Sequence, residues 1–456
     1  MAEISQGEAI ALAALGSTRL PALAGSGPGW LAGVIADARA AASNLPVPTP
    51  RDEAWRFTDV AQIARQSFIV PASAPTVEPD LAAFAPFVIE EASATRLVHV
   101  DGVFSPALSS VHGLPAGLRI SLLSDYGGPG GTGEASGVDQ DAAAAAIVRA
   151  HLARHARYDA DFFSALNTAR LLDGAAVISA PGVQSSAPVH LLFLTTGRPA
   201  PFTVQPRVLV VAEPGSSLTL IEEYASLGES IVFTNSVSEV VVGANASVHH
   251  VRLQRENRAS FHVGRCAVTL DRDARYRSVS INLGARLSRL DLEVTLDGEG
   301  AEAHLDGLAL IDARQHADTH TLLDHARPDG TSRQLHKCVC DGGSHGVFNG
   351  RIRVRPDAQR TDSAQQSRAL LLSPKAQINA KPQLEIFADD VKAAHGATVG
   401  QLDGEELFYL ASRGLPVEQA RKLLTYAFAA EVIERIPVRS LVARLAAQVM
   451  ARTGLK

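Results

Sequence analysis

Three segments of the chain start alike and then alternate residue by residue: Ala246-Ser-Val-His-His-Val-Arg-Leu253, Ala274-Arg-Tyr-Arg-Ser-Val-Ser-Ile281 and Ala301-Glu-Ala-His-Leu-Asp-Gly-Leu308. Their starts lie 28 and 27 residues apart. Each follows a polar or glycine-containing turn: Gly243-Ala-Asn245, Asp271-Arg-Asp273 or Asp297-Gly-Glu-Gly300. A unit of that size, made of short strands and turns, cannot bury its own apolar face and must lean on the next copy. A stacked β-solenoid satisfies this better than a sandwich, although hairpins in a large sandwich give the same period and spacing alone leaves both open.

The same character extends from Ala175 onward, as β-branched runs cut by turns, beginning with Val177-Ile-Ser-Ala180 and His190-Leu-Leu-Phe-Leu-Thr-Thr196. Long helices are not expected again before about residue 405. Ahead of this stretch the chain reads as mainly helical over 1–174. Trp30, Val34, Ala38 and Ala41 share one helical face until the prolines of Leu45-Pro-Val-Pro-Thr-Pro50 end it, and a glycine-rich loop is expected at 124–137. Trp55 and Phe57 read as local core. After the β-rich core (175–403), residues 404–456 turn helical. Gly414 stops one helix and Pro416 opens the next, where Ala420, Leu423, Leu424, Ala427 and Phe428 share a face. Leu441, Leu445 and Val449 repeat beyond Pro437. Packing on the end of the solenoid, as a cap for its edge, is the simplest use for these helices.

Charge and cysteine content narrow the function. A formal charge of −6 over 456 residues gives no basic footprint for nucleic acid. No apolar run reaches the roughly 20 residues of a membrane span, and the start Met1-Ala-Glu-Ile lacks the positive charge of a signal peptide, so a cytoplasmic protein is expected. Three cysteines make no disulfide framework, in keeping with a reducing compartment.

Most chemical motifs dissolve on inspection. His316, His320 and His325 suggest a metal cluster, yet residues four apart on a strand sit roughly 13 Å from each other, so hydrogen-bonded structural roles are the expectation. Cys338 and Cys340 point the same way on a strand, but with Cys266 as the only further thiol they cannot make a four-thiolate site, and buried inert thiols are expected. Any cluster built here draws ligands from a second chain. Asp389 and Asp390 are adjacent, face opposite ways and read as turn residues. Gly342-Gly-Ser-His-Gly346 matches Gly-x-Ser-x-Gly, but the strand-like Val347-Phe-Asn-Gly-Arg-Ile-Arg-Val354 follows where a nucleophile elbow needs a helix. The glycine-rich segment lacks the lysine and serine or threonine of a phosphate loop, so energy must come from a partner. With 5% aromatic residues and no convergent carboxylates, a carbohydrate-cleaving solenoid is excluded too. What stays is His395, placed at an expected turn between Ala394 and Gly396; from the residues alone it is a hydrogen-bonded turn histidine.

The stretch around it, Lys381-Pro-Gln-Leu-Glu-Ile-Phe-Ala-Asp-Asp-Val-Lys-Ala-Ala-His-Gly-Ala-Thr-Val-Gly-Gln-Leu-Asp403, resembles the signature of the SufB/SufD family of iron-sulfur cluster assembly scaffolds, its SufD branch most of all. The resemblance runs in order through Arg51-Asp-Glu-Ala-Trp-Arg-Phe-Thr-Asp59, Phe163-Ser-Ala-Leu-Asn-Thr-Ala169, Val347 to Val354, Ser367-Arg-Ala-Leu-Leu-Leu372 and Leu407-Phe-Tyr-Leu-Ala-Ser-Arg-Gly-Leu415. It implies a mainly β protein with a right-handed parallel β-helix core between helical ends, non-catalytic on its own. It further implies pairing with SufB through the late strands near 383–398, and docking of the SufC ATPase on the C-terminal helices, 405–456. A homodimer through the same edge is the expectation when SufB is absent. Iron or a transient iron-sulfur cluster would form at the subunit interface, with none held by the isolated chain, and His395 is the metal contact the resemblance assigns. The family motif K-C-S-H-G stands here as Lys392-Ala-Ala-His-Gly396, so His395 has no neighbouring thiol. The rival is a purely structural β-solenoid interaction protein with no metal contact.

Overall fold

Winding, rather than hairpins, generates the repeat. In the computed structural model, which describes residues 29–71, 81–126, 138–171 and 173–453, each strand from Ser217–Ser226 onward pairs in parallel with the strand two places later in the chain. Alternate strands therefore sort into two facing sheets, one of 11 strands and one of 10. Ser247 lies opposite Arg275, and Arg275 opposite Glu302. The register thus advances by the same 28 and 27 residues as the sequence repeat. The fold is a β-solenoid, and parallel pairing removes the sandwich alternative.

The corners explain why the repeat begins where it does. Ala246, Ala274 and Ala301 are fully buried at equivalent corners and join the apolar column between the sheets. Immediately before them, Asn245, Asp273 and Gly300 take φ of 56°, 55° and 70°. Asparagine, aspartate and glycine tolerate this left-handed region best, so the chain turns sharply and drops a small side chain into the corner.

Helices cover the outer faces of both sheets. Trp55, Ile63, Phe162 and Phe163 pack on Phe233, Phe261 and Leu287 of one sheet. Two of the C-terminal helices, Val417–Ile433 and Arg439–Thr453, lie along the other, while Gly404–Ser412 packs on Val417–Ile433 and buries no side chain. There Val432, Ile433, Leu441, Leu445 and Val449 meet Val251, Leu253, Val279, Ile281, Leu308 and Leu310. This corrects the expectation of an end cap, because the helices lie on a sheet face and leave the end of the solenoid bare. The expected stripe on Val417–Ile433 is also rotated. Ala420, Thr425, Ala429, Val432 and Ile433 are buried, whereas Leu423 and Ala427 face solvent.

A buried carboxylate fastens this covering. Glu223 receives Arg255, His190 Nε2 at 3.0 Å and Arg444 of the last helix at 3.5 Å. Burial alone would raise its pKa, but Arg255, His190 and Arg444 outweigh that and lower it to about 2. The region before residue 174 is not wholly helical. Thr95–Val100 pairs in parallel with Val189–Thr195, and Leu118–Leu122 runs antiparallel to Ala175–Ser179. At the start of the expected glycine-rich loop, Leu123–Tyr126 forms a short 3-10 turn, and 127–137 lies outside the described residues. Among the described residues no helix is long and apolar enough to cross a membrane.

Candidate functional site

The two ends of the solenoid are finished differently. At the first, short antiparallel strands close the sheets: Val103–Phe104 and Ser110–Val111 flank Thr95–Val100, and Leu118–Leu122 flanks Ala175–Ser179. At the second, Gln377–Ile386 and Val391–Gly400 are each the outermost strand of a sheet, hydrogen-bonded along one side only. Each is 10 residues long. An open edge of that length presents a row of unpaired N–H and C=O groups, which proteins normally blunt or cover. Residues of the usual blunting types on these two strands are Lys381, Pro382, Glu385 and Lys392, three of them on Gln377–Ile386 and one on Val391–Gly400.

His395 sits in the middle of Val391–Gly400 and is exposed. The turn expected at this histidine falls earlier, at Asp389 and Asp390, which are turn residues as their adjacency suggested. Gly396 continues the strand, and a Cβ placed on it would meet nothing within 4 Å. Among the described residues no packing therefore demands a glycine there. His395 is in register with Gln365, and Gln365 with Gln334. Both glutamines face the interior: Gln365 Nε2 donates to the Gly350 carbonyl at 3.2 Å, and Gln334 bonds Thr321 Oγ1 at 2.9 Å. Paired residues of parallel strands share a face, so the imidazole lies at the mouth of the space between the sheets.

Beside the apolar column, a strip of that space is polar, which sequence reading missed. Glu222 receives Arg252, Tyr224 Oη at 2.5 Å, Ser238 Oγ at 2.8 Å and His250 Nε2 at 3.2 Å, all between the sheets. Burial would raise the Glu222 carboxyl, but Arg252 and His250 dominate and hold it well below the usual carboxylate range. His262 follows, bonded to Glu256 at 2.7 Å; further along, Asn282 bonds Ser288 at 2.5 Å, before Gln334 and Gln365. Glycines make room for these polar ends. A Cβ on Gly264 would lie 2.5 Å from Arg252 Nη2, and one on Gly350 2.1 Å from Gln365 Nε2.

Other candidates are placed as follows. His316 and His320 lie on the outer face around Asp318, bonded to Thr58 and Asp318 at 2.8 and 3.0 Å, while His325 points inward to Ser332 Oγ at 2.9 Å. Opposite faces keep the three from one ion, and among the described residues no group of three or more His, Cys, Asp or Glu side chains could hold a metal. Cys338 and Cys340 stand together inside the later turns, and Cys266 lies in a different cluster. Ser344 is buried and leads directly into the strand His345–Val354, so no nucleophile elbow exists. On the C-terminal helices, Phe408, Tyr409, Val417 and Leu423 are 76, 56, 55 and 40% exposed and form an apolar outer surface.

The SufBD core domain of the SUF system for iron-sulfur cluster assembly matches residues 193–428, which spans the solenoid turns, the open end and most of the second C-terminal helix. The chain belongs to the SufBD family. Its SufBD relatives include an iron-sulfur cluster assembly SufBD family protein of Synechocystis, 38% identical over 421 residues that cover 90% of this chain and 88% of the relative. The iron-sulfur cluster assembly protein SufD of Escherichia coli is 32% identical over 411 residues, 90% of this chain and 89% of that one. A chloroplast protein of Arabidopsis thaliana, ABCI7, is 32% identical over 409 residues, 87% and 81% of the two chains. SufBD membership ties the chain to iron-sulfur cluster assembly, and its solenoid with helical ends is the architecture the late-strand signature implied.

Proposed function

We propose that this chain is a non-catalytic subunit of an iron-sulfur assembly scaffold, whose open solenoid end joins the like end of SufB and whose C-terminal helices hold the SufC ATPase. The open end carries the reading: two outermost strands, unpaired along one side, the first half-buried and the last mostly exposed, at the end where His395 stands. Backbone pairing with a second solenoid would satisfy those N–H and C=O groups and extend both sheets across the junction. Gly396, with open space where a side chain would lie, admits the opposing chain beside His395. One imidazole supplies one ligand to iron, so the remaining ligands of a nascent cluster come from the partner. The exposed Phe408, Tyr409, Val417 and Leu423 support docking of SufC on the first two C-terminal helices, of which only Val417–Ile433 is fixed to the sheet by its inner side.

The test is association. Val399, 52% exposed on the last strand, is replaced by lysine, a residue that discourages edge pairing. The variant should keep its circular dichroism spectrum and elute apart from SufB in size-exclusion chromatography, where the parent chain co-elutes. Co-elution of the variant with SufB places the interface elsewhere. The rival reading, an interaction protein without metal contact, shares the association and differs only in the iron that His395 retains.

A further inference from the structure

Cys338 and Cys340 are two residues apart on the strand Thr331–Cys340, so the pleat turns both side chains to the same face, here the interior. Their sulfurs lie 3.4 Å apart, and both thiols are free and buried. Ala309, Ile311, Ala317, Ala369 and Ala376 form the wall around them. Facing the pair is Gly346, where a Cβ would lie 2.6 Å from Cys338 Sγ and 3.1 Å from Cys340 Sγ. The absence of that one carbon lets the two sulfurs stand together. The sulfurs also differ. The Cys338 thiol, with the Ser344 hydroxyl and the Gly346 N–H, lowers the pKa of Cys340 in spite of burial. The bond to Cys340, with burial, holds Cys338 well above its ordinary range. Cys266 has no such companion and is pushed up to about 12, chiefly by burial. Two free thiols in contact, with the Ser344 hydroxyl and the Gly346 N–H beside Cys340, have the arrangement of an attacking and a resolving thiol.

We infer that Cys338 and Cys340 form a dithiol–disulfide redox site that takes a small hydroperoxide as its oxidant. The Cys340 thiolate attacks one peroxide oxygen. The O–O bond breaks, the leaving oxygen takes up a proton, and Cys340 becomes a sulfenic acid. Cys338 sulfur then attacks Cys340 Sγ; the S–S bond forms, the S–O bond breaks, and the departing hydroxide leaves as water with the Cys338 proton. Two thiols and one hydroperoxide give one disulfide, one water and one alcohol, or a second water when the oxidant is hydrogen peroxide. A thiol reductant reverses the change. Two residues along a strand span about 6.6 Å, near the upper end of the roughly 4.4–6.8 Å between Cα atoms that a disulfide bridges. The bond therefore closes against the extended backbone and opens readily, which suits a reversible site better than a permanent staple. On the side of the terminal strand, half-buried Ile378 packs against this cluster, its Cδ1 2.7 Å from the same vacant Cβ position of Gly346. None of this depends on pairing with SufB or on iron at His395.

The full chain supplies its own test. Trypsin cleaves after Lys337 and Arg351, so both thiols fall in one peptide, residues 338–351. The folded protein is treated with hydrogen peroxide, then unfolded in iodoacetamide and digested. The expected peptide carries no alkyl group and is lighter than the dithiol form by two hydrogens. Prior dithiothreitol restores two alkylation sites, and Cys266 is alkylated throughout. In Cys338→Ser, Cys340 should be trapped by dimedone as the sulfenic acid, while in Cys340→Ser the remaining thiol should stay alkylatable at the same dose. A parent peptide that keeps both alkylation sites, or that gains oxygen without losing hydrogens, while circular dichroism shows a folded protein, overturns the assignment.

Discussion

Replacing Glu223 by glutamine tests whether the C-terminal helices are fastened to the solenoid as described. The carboxylate touches Arg255 of the sheet and Arg444 of the last helix, and is fully buried. Its fall from an ordinary 4.5 to about 2 corresponds to about 3 kcal/mol at about 1.4 kcal/mol per pH unit, in line with the roughly 3–5 kcal/mol lost when one partner of a buried ion pair is removed. The sign follows from the lowered value. The ionised form is favoured in the folded state, so the contribution is complete above pH 4.5 and is lost as the pH falls towards 2. Glu223→Gln should therefore be less stable than the parent by about 3 kcal/mol at pH 7, and that gap should shrink by about 2 kcal/mol at pH 3. Urea unfolding followed by circular dichroism at the two pH values measures the gap, and limited proteolysis should show residues 439–453 released first. Equal stability at pH 7, or a gap of the same size at both pH values, refutes the clamp.

Two further outcomes follow from the packing. Leu445→Ala empties a fully packed site between the last helix and the sheet, and should cost about 2–5 kcal/mol in the same unfolding assay; a change below 1 kcal/mol, on the scale of roughly half a kcal/mol typical of surface substitutions, would mean the helix is not held there. Phe408→Ser with Leu423→Ser alters only exposed side chains, so stability should stay within about 0.5 kcal/mol while co-purification of SufC is lost; retained SufC moves its docking site elsewhere. Truncation at residue 404 is a poorer test, because it would bare Val251, Leu253, Val279, Ile281 and Leu308.

The winding was legible because one turn of the solenoid is one period of the sequence, and because Asn245, Asp273 and Gly300 mark the left-handed corners. Gly414, with φ of 90°, ended its helix as read. Which way the strands face was not legible. On Ser247–Arg255, His250, Arg252 and Gln254 point inward while Val251 and Leu253 point outward, beneath the C-terminal helices. A strand buried on both faces loses the link between polarity and solvent on which alternation depends, and so the polar interior escaped notice. The helix Val417–Ile433 was misjudged for a related reason: it carries apolar residues on two stripes and only one meets the sheet. At His395, glycine next to a histidine reads as a turn, yet Gly396 is a strand residue with open space beside it. The open space beside Gly396 comes from its place on the outermost strand of the sheet, which no local pattern encodes.

The central claim is that the imidazole at the open end holds iron once a second solenoid has joined it. It is tested most directly by iron and acid-labile sulfide analysis of the complex purified with SufB and SufC, comparing His395→Ala with the parent. His395 is exposed and adds little packing, so the account predicts an intact complex with both contents clearly reduced. An intact complex with unchanged iron and sulfide would contradict it.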